Sequence, residues 1–245
     1  MLFGLSKGVR SEVNMRRFVL AVAAVSIFSF LTEAALAQIC RPVSERARVA
    51  DVGCWIIVHG HVGKLTEPQV FWHLDTFPTR SAAEAAKGPR GTVVEAFGKV
   101  WLLTIAEKGW RPSVGERINE IGPIPITPGG DYSAQYMEAT FNPGMIAPSH
   151  EHSGPEAWHT LAGETCLETP DGKFVGRAGG PPVIVPEGPP MHLTATGTEQ
   201  RRALVLILHD ASKPPTKPRA DFVPKGLCKD LGSELINFAA ARRQS

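Results

Sequence analysis

The sequence contains no Cys-x-x-Cys pair, no run of arginine or lysine longer than two, and a single Gly-x-Ser-x-Gly, at Gly4 to Gly8. The first absence argues against thioredoxin-like redox sites and zinc ribbons. The second removes the basic stripe that nucleic acid binding requires. The third leaves no nucleophile elbow in the body of the chain, and with no evident Ser-His-Asp arrangement, serine hydrolysis is disfavoured. The apolar run Phe18 to Leu31 has 14 residues, short of the roughly 20 that cross a bilayer as a helix.

That run reads instead as the centre of an export signal. Met15-Arg16-Arg17 is a basic n-region and Ala35-Leu36-Ala37 a small-residue cleavage site. Ile39 stands where a lipoprotein would carry a small residue before Cys40. Residues 1–37 are therefore expected to be removed, with Met15 a candidate true start and Gln38 the first mature residue. Arg16-Arg17-Phe-Val-Leu faintly resembles a twin-arginine signal. The location expected is secreted or periplasmic, with no membrane attachment after cleavage. Cleavage removes four of 26 basic and two of 24 acidic residues, leaving 22 of each. No net charge then remains to draw in nucleic acid or an anionic membrane. Cys40, Cys54, Cys166 and Cys228 all survive, and an even number in an exported chain favours disulfides. Three pairings are open; locality favours Cys40–Cys54 with Cys166–Cys228.

Residues 144 to 163 read Gly144-x5-His150-x-His152-x3-Glu156-x6-Gly163. On a strand His150 and His152 point to one face, and Glu156 keeps that parity, so the three side chains can converge. Imidazoles with a carboxylate suit a first-row divalent metal, and iron, manganese, nickel, copper and zinc all remain open. Trp158 shares the face of Glu156 and is expected to line the pocket. His159 has the opposite parity and reads as a packing or surface residue.

This segment resembles the first sequence motif of the cupin superfamily at every fixed position, within a similarity running from Tyr136 to Leu206. The resemblance implies a second half, Gly-x5-Pro-x-Gly-x2-His-x3-Asn. Gly180, Pro186 and Gly188 match it, but His192 arrives one residue late, and Thr196 replaces the Asn. A bulge at Pro189-Pro190 would return His192 to the inner face as a fourth ligand. His150, His152, Glu156 and His192 would leave two open positions on an octahedral metal.

The resemblance implies an all-β jelly-roll barrel or sandwich, here with an N-terminal α+β extension and a C-terminal helix. Residues 129–212 form the expected cupin domain and 38–128 the extension. Residues 213–245 form a proline-rich connection and a final helix, in which Leu231, Leu235 and Phe238 recur at helical spacing. Turn signals separate strands at Tyr136–Phe141, two within His150–Leu161, Thr165–Glu168, Val183–Val185 and Ala203–Leu208. A hairpin is expected around Gly98-Lys99, and Ser81 to Glu84 reads as a capping box opening a helix that stops at Gly88. Gly53-x5-His59-x-His61 repeats the opening of the metal motif, but Glu67 follows too late, and chance histidines near a turn explain it better than a vestigial second site. His73 has no identifiable partner.

Two classes of function follow from the resemblance. The first is a metal-dependent enzyme, an oxygenase or isomerase acting on a small organic molecule, with Glu156 as ligand or base. The second is a non-catalytic protein that binds a metal or small ligand for sensing, storage or scavenging. Homodimerisation is left open.

Overall fold

Residues 40–46 and 51–229 are described by a computed structural model. The element order is β1 (Arg41–Pro42), a 3-10 turn (Val43–Glu45), β2 (Gly53–Lys64), β3 (Gln69–Phe77), a helix (Arg80–Ala86), β4 (Gly91–Ala96), β5 (Lys99–Ala106) and β6 (Glu116–Pro125). It continues with β7 (Asp131–Phe141), β8 (Ile146–His152), β9 (Glu156–Ala162), β10 (Glu164–Thr169), β11 (Gly172–Arg177), β12 (Val183–Val185), β13 (Met191–Thr196), β14 (Arg201–Asp210) and β15 (Thr216–Pro218). The expected signal segment, residues 1–37, and the helix expected to carry Leu231, Leu235 and Phe238 lie outside the described residues.

Three sheets form. A six-stranded sheet runs β1-β2-β7-β14-β9-β12, a five-stranded sheet β11-β10-β13-β8-β15, and a four-stranded sheet β4-β5-β3-β6. Met137, Trp158, Val205 and Ile207 of the six-stranded sheet pack with Leu167, Met191 and Leu193 of the five-stranded sheet, giving the interior of a two-sheet barrel. The opposite face of the six-stranded sheet carries Tyr136, Leu204, Leu206 and Leu208, which meet Trp72, Leu74, Trp101 and Ile105 of the four-stranded sheet. The six-stranded sheet is thus buried on both faces. That explains why Ala203 to Leu208 is a continuous apolar run with no alternation, the pattern of a strand with no wet side.

The strands expected between 136 and 208 all form, most of them longer than the turn signals indicate. The hairpin turns at Phe97 and Gly98, both at positive φ, as a two-residue turn requires. The helix differs in its start: Thr79 is the N-cap, its hydroxyl accepting from Ala82 N, and Ser81 lies inside. Residues 53–64, upstream of the expected cupin domain, lie in the six-stranded sheet beside β7. The proline-rich passage after 212 contains β15, which pairs with β8 at the edge of the five-stranded sheet. Both disulfides favoured by locality form, Cys40–Cys54 and Cys166–Cys228. The second ties the passage after β15 to the outer face of β10.

Candidate metal centre

His150 and His152 stand near the end of β8, and Glu156 opens β9 after the turn Ser153-Gly154-Pro155. The turn brings the two strands' residues together across the barrel mouth. His152 Nε2 lies 3.7 Å from Glu156 Oε2. Both residues are buried, and neither of these atoms has a hydrogen-bond partner. The His150 and His152 rings stand edge to face, with centroids 4.8 Å apart. Gly154 makes the turn's close approach feasible: a Cβ there would sit 2.0 Å from the Leu208 carbonyl oxygen and 2.6 Å from His209 Cα.

Backbone carbonyls set the tautomers. His150 Nδ1 donates to Pro148 O at 2.6 Å, and His152 Nδ1 donates to Pro215 O at 3.0 Å. In a neutral imidazole this leaves Nε2 as the bare lone pair. Burial is the main cause keeping both imidazoles neutral, and it pushes the His152 pKa down to about 4. Burial also raises the Glu156 pKa, against the opposing influence of His150, Trp158 and Arg201. With His152 neutral, the 3.7 Å contact is not an ion pair but two potential metal-binding atoms facing each other.

A divalent metal fits that pair. Nitrogen and oxygen ligands bind at about 2.0–2.2 Å, so two donors 3.7 Å apart can share one ion. Among the described residues, no group of three or more His, Cys, Asp or Glu side chains is arranged to hold a metal ion. The two-donor core is formed, and His150 stands beside it.

The structure departs from the expectation at His192. Met191 and Leu193 face the barrel interior, and His192 lies between them on the other face, opposite Glu168. A register shift does occur here, but on β8: Met191 pairs with His150 and Leu193 with Ala147, so Pro148-Ser149 carries the extra residue. That bulge turns His150 inward and leaves His192 outward, its Nδ1 3.4 Å from Ser149 Oγ. The irregularity expected at Pro189-Pro190 does not bring His192 to the interior.

Trp158 is buried inside the barrel, two residues from Glu156. The Arg201 guanidinium lies 5.3 Å from its ring centroid and 5.6 Å from that of Phe141. Arg201 is only 1% exposed, its Nε and Nη2 have no hydrogen-bond partner, and burial lowers its pKa to about 10. His159 packs outward, its Nδ1 3.2 Å from Asn119 Nδ2 and its ring edge-on to Trp101. His73 is fully buried, with Nε2 2.9 Å from Glu107 O and Nδ1 3.4 Å from Glu120 Oε2.

Two histidines near the mouth were not expected there. His209, 1% exposed, lies two residues beyond Ile207, which pairs with Glu156. His59, from the discounted repeat of the motif opening, places Nε2 2.8 Å from His209 Nε2. The one available signal for His209 was parity: it shares a face with Ile207 and Val205 at the end of a buried strand.

No protein-family model matches the sequence, and no curated protein does. Matches do occur among solved structures. A cupin-like protein of Thermotoga maritima is 14% identical, with a TM-score of 0.35, covering 42% of this chain and 86% of that one. A cupin superfamily protein of Desulfitobacterium hafniense is 18% identical, with a TM-score of 0.29, covering 36% and 74%. The DMSP lyase DddQ of Ruegeria pomeroyi is 24% identical, with a TM-score of 0.31, covering 38% of this chain and 45% of that one. Over about two-fifths of its length, the chain is similar to solved cupin-like and cupin superfamily proteins.

Proposed function

We propose that this protein is an exported cupin that holds one divalent transition metal at the barrel mouth and uses it to transform a small organic molecule. The supporting observation is the buried pair His152 Nε2 and Glu156 Oε2, 3.7 Å apart and without other partners. Leaving two such atoms unsatisfied costs roughly 1–3 kcal/mol each, which a bound cation offsets. A bound metal would supply Lewis acidity and a template for substrate oxygens.

The chain's own residues do the rest. His150 and His152 present unprotonated Nε2 atoms because their Nδ1 atoms are committed to carbonyls, an outer-shell arrangement that orients metal-binding imidazoles. Glu156 serves as a ligand or, when released, accepts a proton from the substrate. Trp158 walls the apolar side and excludes water. Arg201, a buried cation against the Trp158 ring, adds a charged group to the barrel interior, which suits an enzyme better than a passive carrier. Oxygenase and isomerase chemistry both suit this arrangement.

Export rests on the signal features of residues 15–37 and on both disulfides. The experiment is elemental analysis of the mature protein, followed by dioxygen-consumption and isomerisation assays on catechols, flavonoids and keto-acids. About one metal per chain with turnover supports the enzyme. Metal without turnover leaves a binding protein, and absence of metal removes the centre altogether.

A further inference from the structure

The barrel mouth contains more imidazole than the motif predicts, and its arrangement identifies a further donor. Three histidines share one hydrogen-bonding pattern: Nδ1 of His150 donates to Pro148 O, of His152 to Pro215 O, and of His209 to Asp210 O at 2.8 Å. Each is thereby held with an unprotonated Nε2 and a ring orientation fixed by the main chain, the outer-shell support that metal-binding histidines receive. His192 has no such anchor. Its Nδ1 faces the Ser149 hydroxyl, and it lies on the outer face opposite Glu168.

Register brings His209 to the site. Ile207 pairs with Glu156 across β14 and β9, so His209, two residues on, keeps the same inward face. Leu208 N donates to Pro155 O, and Asp210 N donates to Ser153 O, each at 3.0 Å. These bonds fasten the backbone on both sides of His209 to the turn that joins His152 to Glu156. Gly154 permits the approach, since a side chain there would strike His209 Cα.

We infer that His209, rather than His192, supplies the third imidazole of the metal centre, and that His59 caps it in the metal-free protein. Since His209 Nδ1 carries the proton, its Nε2 is the acceptor in the 2.8 Å contact, and His59 Nε2–H is the donor. His59 is exposed and its ring can withdraw, whereas His209 is buried and anchored. This assignment rests on the proposed metal centre and gives it the ligand set His150, His152, Glu156 and His209.

The test uses the mature protein loaded with Cu(II), then with Zn(II). Nitrogen hyperfine structure in the copper spectrum counts coordinated imidazoles, and zinc titration gives affinity. Three nitrogens are expected in wild type and in His192→Ala, and two in His209→Ala, with zinc affinity falling roughly 10- to 100-fold in the last alone. His59→Ala should bind zinc at least as tightly as wild type. His209→Gln, close in volume and able to hydrogen-bond, repeats the measurement if the alanine variant misfolds. Unchanged nitrogen count and affinity in folded His209 variants would overturn the assignment while leaving the centre standing. Loss of a nitrogen in His192→Ala would return the role to His192. A wild type that takes up neither ion would overturn both the centre and the assignment.

Discussion

His152 Nε2 faces Glu156 Oε2 at 3.7 Å, and neither atom has another partner. Replacing the carboxylate therefore separates its two roles. Glu156→Gln removes a charge that burial already disfavours, so the metal-free fold should melt at the same or a slightly higher temperature. Metal affinity should fall roughly tenfold or more, because the charged oxygen donor is gone. Thermal melts with and without zinc check both: a variant that binds zinc like wild type would exclude Glu156 as a ligand.

Acid should destabilise the metal-free protein through His152. Burial holds its folded-state pKa at about 4, below the ordinary 6.5. Between those values the unfolded chain binds the proton and the folded chain does not, so stability is present above pH 6.5 and lost as pH falls toward 4. The contribution is about 3 kcal/mol. Glu156, with its pKa raised, works in the opposite direction, gaining stability as pH falls through that raised value. Urea midpoints at pH 7, 5.5 and 4.5 should fall for wild type and fall less for His152→Gln. Parallel slopes would show that His152 does not carry the effect.

Gly154→Ala should cost stability near or above the upper end of the roughly 1–3 kcal/mol typical of overpacking, because the added Cβ would lie 2.0 Å from the rigid Leu208 carbonyl oxygen. The displaced turn should weaken metal binding too. Denaturant midpoints and zinc titration measure the two effects, and a variant equal to wild type in both would deny the close approach any role.

Arg201→Met should fold at least as well as wild type. It keeps contact with Trp158 and Phe141 and removes a buried cation with unsatisfied donors, an exchange that is often neutral or stabilising. Turnover should drop if Arg201 biases charge at Glu156. A loss of several kcal/mol in stability would instead make Arg201 a structural residue.

Much of the barrel was legible because turns interrupt it: Pro170-Asp171-Gly172 and the Val183–Val185 run mark their strands directly. Alternation gave the shared face of His150 and His152 on β8 and the opposed faces of Glu156 and His159 on β9, while the turn between the strands brings Glu156 to His152. The face of His192 did not, because the bulge sits on Pro148-Ser149 of the partner strand, and one strand's sequence does not show slack in its neighbour. β15 was hidden for a related reason. Its register with His150 to His152 comes from a distant partner and not from any apolar pattern of its own. His209 was missed because it and Asp210 match no motif spacing; only pairing with β9 and the approach of Gly154 place it beside the turn.

The carbonyl that fixes the His152 tautomer belongs to Pro215, 63 residues further along the chain. The same late passage is fastened by Arg219 to Glu151, by the Phe222 carbonyl to Ser149, and by Cys228 to Cys166. A chain still emerging from a ribosome therefore has its motif complete well before the His152 Nε2 is oriented. If the proposed centre binds its metal, capture would be timed by the arrival of the C-terminal passage, and a chain cut short after β14 would keep every residue of the motif yet load poorly.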